Sequence, residues 1–372
     1  MGSSTSGRAV ETEAAITLHA DEEPQPFAPA RWDWDAVQRV LVIRLRSIGD
    51  TVLATPSLFA LKRFLPHAEI DILVEDWVAP LLANHPHVNN VIELERGGVT
   101  KRMNVAREIR SLRYDVVYNL HGGSTATFLT RATGAPYRVG FKTYQYAKLH
   151  NVLAPSPLLL WGQQKTHSVE QQLALLGWTG VPVSDRPRTR LGIAPEAAGS
   201  VIQYLEAAGL ADRKIALLHP AAAFATKRWA TKNFARVAEY LAERGYAPVA
   251  IAARHEAPLI DELVSEAAVS ILTLDLSLPE VSALASRSQI FVGNDSGIAH
   301  IAAAVGTPSV VIFGSSNIAH WRPWHRAAAE VVVEELPCQP CHGYFCERFP
   351  QPECILRVPV EKVIAAIERC LN

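Results

Sequence analysis

The sequence predicts an α/β protein with two doubly wound domains of similar size. Short runs rich in β-branched residues alternate with stretches of helical periodicity, a pattern typical of parallel sheets covered by helices on both faces. The pattern occurs twice, before and after a proline-rich segment at 182–195. The length of 372 residues also suits two domains better than one.

We place the first domain at 37–190. The preceding residues, 1–36, are rich in Ser, Glu, Ala and Pro and show no sustained period, so we interpret them as a disordered leader. Within this domain, strands are predicted at 40–45, 70–74, 88–94 and 115–120, and helices at 51–64, 77–83, 101–112 and 124–133.

The second domain, 191–372, repeats the alternation. Strands are predicted at 214–219, 248–253, 271–274, 290–292 and 331–333, with one more after Pro308, and helices at 233–244, 257–267, 297–305 and 360–371. In such sheets ligands bind beyond the carboxyl ends of the strands, so the cleft between the two domains is the expected site.

Composition and missing motifs exclude several classes of protein. The net charge of −1 gives no basic field for nucleic acid, and no apolar run reaches membrane-spanning length. The polar N-terminus lacks the features of a signal peptide, and the five cysteines do not suit a secreted disulfide framework, so we expect a cytoplasmic protein. No G-x-G-x-x-G, G-x-x-x-x-G-K-[ST] or G-x-S-x-G motif is present, which disfavours nicotinamide, flavin, P-loop and α/β-hydrolase sites.

The most informative stretch is 287–317. A buried strand at 290–292 ends at Gly293, and Asp295 or Ser296 can cap the apolar helix at 297–305. The free N–H groups and the dipole of that helix suit a phosphate or diphosphate. The alternative is an ordinary β-α-β unit in which these residues only cap the helix.

Four further residues are candidates for the chemistry. Asp50, between the first strand and first helix, is either a general base or simply a helix cap, or both. Lys227 follows a strand and could meet a diphosphate, or it is a solvated loop lysine. Glu256 could bind ribose hydroxyls, or it is a first-turn glutamate. His300 could point into the cleft, or it is a core histidine.

Two segments indicate further contacts. Between Arg131 and Lys148, cations are interleaved with aromatic residues, which suits an anionic, sugar-bearing or membrane-surface partner but also a solvated loop. Near the C-terminus, four cysteines follow a C-x2-C-x4-C-x7-C spacing that is either a structural metal site, with zinc as the candidate ion, or a thiol-rich loop without metal. These cysteines are Cys338, Cys341, Cys346 and Cys354.

Three motifs in order resemble glycosyltransferase family 9, the ADP-heptose:lipopolysaccharide heptosyltransferases. The first is RLRSIGDTVLATP at 44–56. The second is His219-Pro220 followed by Lys227 and Trp229. The third is GNDSGIAH at 293–300, and the resemblance runs from about residue 40 to the C-terminus.

This resemblance implies a GT-B architecture, in which two Rossmann-like domains face each other across the active site and the chemistry needs neither metal nor cofactor. It makes Asp50 the catalytic base of an inverting transfer. The residues it assigns are, on the donor side, Lys227, Glu256, Asp295, Ser296, Gly297 and His300, and on the acceptor side, Ser47, Gly49, His121, Gly122 and Arg131. In this fold the last helix often crosses back to the first domain, an arrangement that we consider for 360–371.

The implied reaction is heptose transfer from ADP-heptose to a lipid-linked acceptor of the lipopolysaccharide inner core, with peripheral contact to the cytoplasmic face of the inner membrane. The alternatives are a transferase or epimerase for another nucleotide sugar such as a UDP-sugar, and a catalytically idle sugar-nucleotide-binding protein.

Two features differ from the family pattern. Alanines occupy 221–223, where hydroxyl residues often help to bind phosphate, and His121-Gly122 replaces an expected Gln-Gly.

Overall fold

The computed structural model describes residues 23–324, 328–341 and 344–372, which form two six-stranded sheets. All strand pairs within the sheets are parallel. The first sheet contains β1 (Arg39–Ile43), β2 (Glu69–Glu75), β3 (Val91–Leu94), β4 (Val116–Asn119), β5 (Tyr137–Phe141) and β6 (Val152–Ala154). The second contains β7 (Lys214–His219), β8 (Tyr246–Ile251), β9 (Leu272–Leu274), β10 (Ser288–Asn294), β11 (Ser309–Phe313) and β12 (Ala329–Val333).

Helices cover both faces of each sheet. Those of the first half are α1 (Ile48–Phe64), α2 (Val99–Ser111), α3 (Ser124–Ala132), α4 (Pro157–Trp161) and α5 (Ser168–Gly177). Those of the second half are α6 (Pro195–Ala207), α7 (Thr231–Glu243), α8 (Ala257–Glu266), α9 (Leu278–Arg287), α10 (Gly297–Ala304), α11 (Ile318–Trp321), α12 (Glu353–Leu356) and α13 (Val360–Leu371). No described helix is both long and apolar enough to cross a membrane.

The two sheets have the same topology. Their strand orders are β3-β2-β1-β4-β5-β6 and β12-β11-β10-β7-β8-β9. Counted from the first strand of each half, both are the 3-2-1-4-5-6 order of the doubly wound fold. The order reverses between β1 and β4 in the first half and between β7 and β10 in the second, so each half has one crevice at the carboxyl ends of these strands.

Strand β1 shows why such sequences form a sheet that is buried on both faces. Val40 and Val42 pack into one apolar core, while Leu41 and Ile43 pack into another. Successive side chains of a strand point to opposite faces, so a continuous apolar run is satisfied only when helices cover both sides.

Some sequence-based boundaries were wrong. Strand β5 lies within 131–148, which we interpreted as a basic loop, and no strand was predicted at β6. Helix α6, which begins where the predicted linker ends, was not predicted either. Strand β5 has Tyr137, Val139 and Phe141 at alternate positions, a strand pattern that the interpretation as a basic loop overlooked. We propose that the two sheets mark two domains that meet near residue 190.

The leader prediction also needs correction. Residues 1–22 lie outside the described residues, but 24–36 pack on the first half. Trp32 and Trp34 are 8% and 7% exposed, and Trp32 stacks on Tyr137 with ring centroids 4.4 Å apart. The indole of Trp34 donates a hydrogen bond of 3.1 Å to the Thr179 carbonyl. Two large aromatic side chains thus anchor a segment whose overall composition suggested disorder.

Helix α13 does not return to the first half in the described structure. Its buried side chains, Val363, Ala366, Ile367 and Cys370, belong to the apolar core of the second sheet, and it contacts β10, β11, β12 and α7. The crossing considered for 360–371 is therefore not observed, because the apolar face of this helix is already covered by its own half.

Candidate active site

The two crevices face each other because the helices that leave them, α1 and α10, are in direct contact. The contact is made by glycines. A Cβ atom added at Gly49 would lie 2.7 Å from Cδ2 of His300, and one added at Gly297 would lie 2.6 Å from Cβ of Ile48. Side chains at these two positions would therefore push the halves apart.

We expect Gly297→Ala to destabilise the protein by about 1–3 kcal/mol, the usual cost of overpacking a tight contact. Thermal unfolding measures the effect. The matched control is Gly199→Ala in α6, where an added Cβ would have no neighbour within 4 Å. Alanine is the better helix former, so this control should gain up to about 1 kcal/mol. If Gly297→Ala and Gly199→Ala had small effects of equal size on stability, the tight contact at Gly297 would be contradicted.

Asp50 lies in the first turn of α1 and is held by two neighbours. Its Oδ1 pairs with the Arg44 guanidinium. Its Oδ2 accepts hydrogen bonds of 3.1 Å from both the backbone N–H and the hydroxyl of Ser47. Burial acts to raise the pKa of Asp50, but Arg44 and Ser47 outweigh it and hold this pKa below its ordinary value.

Ser47 is the N-cap of α1, so Asp50 is not the N-cap residue that one of the two interpretations predicted; it is the N3 residue of a capping box with Ser47. This arrangement keeps the carboxylate ionised. An ionised carboxylate can still accept a proton from a third group, because each oxygen has two lone pairs. The base role stays a prediction.

On the facing side, Lys227 and Asp295 form an ion pair with Nζ 2.8 Å from Oδ2. Lys227 belongs to a short turn after β7, and Asp295 follows β10. Asn294 holds the turn against β10: its amide accepts from the Trp229 N–H at 3.1 Å and donates to the Pro220 carbonyl at 2.7 Å. Both charges are thus fixed at the crevice of the second sheet.

His300 is the residue where the two sides meet. It is 5% exposed, and its Nδ1 has no hydrogen-bond partner among the described residues. Burial lowers the pKa of His300, while Asp295 and Asp50, from opposite halves, both act to raise it. Because the His300 ring also packs against Gly49, the residue before Asp50, the structure places the candidate base, the histidine and the Lys227–Asp295 pair in one neighbourhood.

Ser296 and Gly297, at the start of α10, also have defined positions. The Ser296 hydroxyl lies 3.2 Å from Nδ1 of His219, the last residue of β7. Burial lowers the pKa of His219 to about 4, so this imidazole is neutral at pH 7. Ser296 is the N-cap of α10 and Gly297 its first residue, so their N–H groups point away from the helix.

The predicted acceptor side lies beyond β4. The Asn119 amide oxygen accepts from the backbone N–H of His121 at 3.1 Å and of Gly122 at 2.8 Å. Gly122 has a φ of +80°, and a Cβ there would lie 2.7 Å from the Tyr144 ring. Burial first, and then the nearby charge of Arg44, lower the pKa of His121 to about 4.

A cavity of about 260 Å3 opens beside these residues. It is lined by Arg44, His121, Tyr144 and Gln171 of the first half and by His320 of the second. Gln171 and His320 had no signal in the sequence, and Tyr144 was noted only as one of the aromatic residues between Arg131 and Lys148. Arg44 stood in the first motif, but nothing in the sequence indicated its pairing with Asp50.

Two predicted site residues are not brought to this point. Glu256 lies at the same edge of the second sheet, but its Oε2 accepts from the Ala253 N–H at 3.2 Å, which is the capping alternative. Arg131 lies in the last turn of α3, whose first turn is the end near the crevice. The rise along the nine residues of α3 is about 13 Å, so Arg131 starts from the end of the helix that is farther from the crevice. Its assignment to the acceptor side stays a prediction.

The cysteine segment forms a separate region. Cys338, Cys341, Cys346 and Cys354 line a larger cavity of about 580 Å3, together with Thr226 and Ser315. Burial and the neighbouring thiols raise the pKa of Cys354 to about 11. Within 23–324, 328–341 and 344–372, no three His, Cys, Asp or Glu side chains are arranged to hold a metal ion. The segment is nevertheless tied to the Lys227 turn, because the Cys341 N–H donates to the Ser315 carbonyl and the Ser315 N–H to the Thr226 carbonyl.

Two doubly wound halves with facing crevices define the GT-B class of glycosyltransferases, and solved structures support this fold. A family 9 glycosyltransferase from Veillonella parvula superposes with a TM-score of 0.77 at 21% identity, covering 90% of this chain and 97% of that one. The Escherichia coli ADP-heptose lipopolysaccharide heptosyltransferase II gives 0.74 at 21% identity, covering 90% and 98%.

The family follows from sequence comparison. The model of glycosyltransferase family 9 (heptosyltransferase) matches residues 102–349. The chain is 29% identical over 342 residues to lipopolysaccharide heptosyltransferase 3 of Escherichia coli K12, covering 88% of this chain and 96% of that protein. It is 26% identical over 376 residues to lipopolysaccharide heptosyltransferase 1 of Pseudomonas aeruginosa, covering 90% and 98%. The chain is therefore a glycosyltransferase and belongs to family 9.

Proposed function

We propose that the protein transfers heptose from ADP-heptose to a lipid-linked acceptor of the lipopolysaccharide inner core, with inversion at the anomeric carbon. One observation carries the proposal. In a chain of family 9, Asp50 from one half and the Lys227–Asp295 pair from the other converge on His300. The names of the relatives, which are lipopolysaccharide heptosyltransferases, support the sugar and the acceptor class.

In the proposed step, a hydroxyl oxygen of the acceptor attacks the anomeric carbon of heptose. The bond from that carbon to the diphosphate oxygen breaks, and ADP leaves with the electron pair. The acceptor proton passes to the Asp50 carboxylate, which is ionised because Arg44 and Ser47 lower its pKa. Attack from the face opposite to the leaving group inverts the configuration.

The second half stabilises the charge that develops on the diphosphate. Lys227 supplies a full positive charge, and the N–H groups at Ser296 and Gly297 supply the positive end of α10. Asp295 orients Lys227 and contacts the donor sugar. His300, whose Nδ1 is unsatisfied, can bind a polar group of the donor. Glu256 would bind the ribose only after releasing its cap on Ala253.

The acceptor enters from the first half in this proposal. The cavity beside Arg44 and His121 lies at the edge where Asp50 is held, so an acceptor sugar there has its hydroxyl close to the base. Ser47 and Gly49 support this site, because Ser47 fixes the Asp50 carboxylate and Gly49 leaves room for the His300 ring. Because the acceptor is lipid-linked, we place the enzyme at the cytoplasmic face of the inner membrane.

A nucleotide panel tests the donor. We expect ADP to raise the melting temperature, and UDP, GDP, CDP and NAD to leave it unchanged. A ligand that binds only the folded state adds about 2.7 kcal/mol of stability at a hundredfold excess over its Kd. A shift with UDP alone would overturn ADP-heptose as the donor while keeping the transfer mechanism. Tight ADP binding without product on any core acceptor would instead indicate a catalytically idle nucleotide-binding protein.

A further inference from the structure

A cavity of about 300 Å3 lies at the carboxyl edge of the first sheet, beyond the ends of β1, β2, β3 and β4. His121 lines both this cavity and the 260 Å3 cavity proposed for the acceptor, so the two are neighbours. Apart from His121, the proposed transfer step uses none of its lining residues. The cavity can therefore bind a group that the transfer chemistry does not account for.

Three arginines line this cavity, which we call the arginine cavity: Arg46, Arg96 and Arg102. The guanidinium groups of Arg46 and Arg96 share the Glu75 carboxylate at 3.8 and 3.6 Å, distances too long for hydrogen bonds. Arg102 has no ion-pair partner in the part of the chain that the structure describes. The other carboxylate of the lining, Glu95, pairs with a lysine outside the cavity. The cavity therefore has an excess of positive charge and unused N–H donors.

Glu75 and Trp77 hold two of these arginines in place. The Trp77 indole donates a hydrogen bond of 2.8 Å to Oε2 of Glu75, whose side chain is only 13% exposed. The Arg96 guanidinium lies over the Trp77 ring, with Cζ 4.7 Å from its centroid. Because these side chains are already ordered, less conformational entropy is lost when the arginines bind a ligand.

The starts of α2 and α3 add further positive charge. Their N-cap residues are Gly98 and Gly123, which have no side chain to cap the helix, and neither helix has an acidic residue in its first turn. Helices α1 and α9, by contrast, each have a carboxylate there. Ser124 and Thr125, the first residues of α3, line the cavity, so backbone N–H groups at this helix start are available to an anion.

We propose that the arginine cavity binds a phosphate group of the acceptor, while the sugar that receives heptose lies in the adjoining 260 Å3 cavity. Guanidinium and backbone N–H groups are preferred donors to phosphate. Here they come from the end of β1, the end of β3, α2 and α3, and donors on several sides suit a tetrahedral group better than a planar carboxylate. The donor diphosphate is assigned to the second half, so this phosphate belongs to the acceptor, a choice that rests on the proposed function.

The position of the cavity gives the phosphate an orienting role. Arg46 directly precedes Ser47, which holds the Asp50 carboxylate. A phosphate bound at Arg46 would therefore fix the acceptor close to the base.

Titration with inorganic phosphate tests the cavity without any acceptor. The protein is first saturated with ADP, so that phosphate does not report on the donor side. We expect phosphate to raise the melting temperature further. Arg96→Gln/Arg102→Gln should bind phosphate about tenfold or more weakly, because hydrogen bonds to a charged group are lost.

The matched control is Arg107→Gln/Arg236→Gln, which removes two exposed arginines of α2 and α7 outside the cavity. It should bind phosphate like the unmodified protein. Unchanged phosphate binding in Arg96→Gln/Arg102→Gln, or an equal loss in the control, would overturn the proposal. Absence of phosphate binding by the unmodified protein would do the same.

Transfer kinetics test whether the phosphate belongs to the acceptor. A water-soluble core oligosaccharide with its phosphate esters intact is compared with the same oligosaccharide after phosphatase treatment. Dephosphorylation should raise the acceptor KM of the unmodified protein about tenfold or more, and that of Arg96→Gln/Arg102→Gln much less, because the variant no longer makes the contact.

The proposal is wrong if dephosphorylation affects both proteins equally, or if only esterification of acceptor carboxylates raises KM. If the protein transfers no sugar at all, the proposed function fails, and the phosphate titration still decides whether the arginine cavity binds an anion.

Discussion

Asp50→Asn should lower kcat by about a thousandfold while the protein remains folded and still binds ADP. The amide cannot take the acceptor proton, and general-base catalysis contributes about 10²–10⁴-fold. Asparagine keeps one oxygen that can accept from the Ser47 N–H, so most of the cap survives. Steady-state transfer from ADP-heptose and thermal unfolding of the same preparation measure the two effects separately.

The control for capping is Glu280→Gln. Glu280 accepts from the N–H and the hydroxyl of Ser277 at 2.8 and 2.7 Å, as Asp50 does from Ser47, but it begins α9 away from the crevice. This variant should lose a similar small amount of stability and no activity. If Asp50→Asn retained turnover, or if both variants lost it alike, Asp50 would be a cap and not the base.

The pH dependence follows from the direction of the Asp50 pKa. Because the folded pKa lies below the ordinary value of 3.8, the carboxylate is ionised at every pH above that value. Stability from its pairing with Arg44 is complete there, and it is lost only as the pH falls through the folded pKa. We therefore expect kcat to show no acid limb from Asp50 above about pH 5. A limb near neutrality that survives in Asp50→Asn would indicate a histidine as the base.

The second large effect is expected for Lys227→Met, which should lower kcat/KM by about 10²–10³-fold. That is the usual loss when one preorganised group that stabilises a developing charge is removed. The affinity for ADP should fall as well, because Lys227 is placed to meet the diphosphate. Transfer kinetics and calorimetric titration with ADP give the two values. Lys232→Met, at an exposed lysine of the same half, is the control and should change neither.

A second substitution at Asp295, the ion-pair partner of Lys227, separates the role of Lys227 in catalysis from its role in stability. Lys227→Met leaves the carboxylate of Asp295, which is only 5% exposed, without its counter-charge, so some loss of stability is expected. In Lys227→Met/Asp295→Asn the unpaired charge is gone, and stability should recover. Transfer should not recover. Recovered activity in the double variant would show that Lys227 acts only by neutralising Asp295.

The meeting of Asp50 with Lys227 and Asp295 followed from the sequence, because each residue follows the carboxyl end of a predicted strand and in both halves these ends were expected to border the cleft. Arg131 was assigned from the resemblance and not from a strand end, and because it lies in the last turn of α3 its role stays a prediction. The prediction of a disordered leader was wrong for Trp32 and Trp34, because their burial depends on contacts with residues more than a hundred positions along the chain. Amino-acid composition is a property of the segment alone and carries no information about the residues that the segment packs against.

His320 illustrates the same limit within the site. It lies next to Gln171, 3.3 Å from Nδ1 to the amide nitrogen, and its Nδ1 is 3.2 Å from the Thr166 carbonyl. These contacts join the two halves across some 150 positions of sequence. No local periodicity could indicate them, because they depend on how one half is placed against the other.

The glycine contact has an electrostatic consequence. Since Gly297 lies against Ile48 and Gly49, the first turns of α1 and α10 pack against each other. Each helix start carries about half a positive charge, so the two N-terminal ends repel each other. The negative charges of Asp50 and Asp295, which lie at these helix starts, offset the repulsion. A diphosphate bound at this junction would add at least one further negative charge between the ends. Donor binding should therefore hold the two halves together, and loss of the nucleotide after transfer should loosen them.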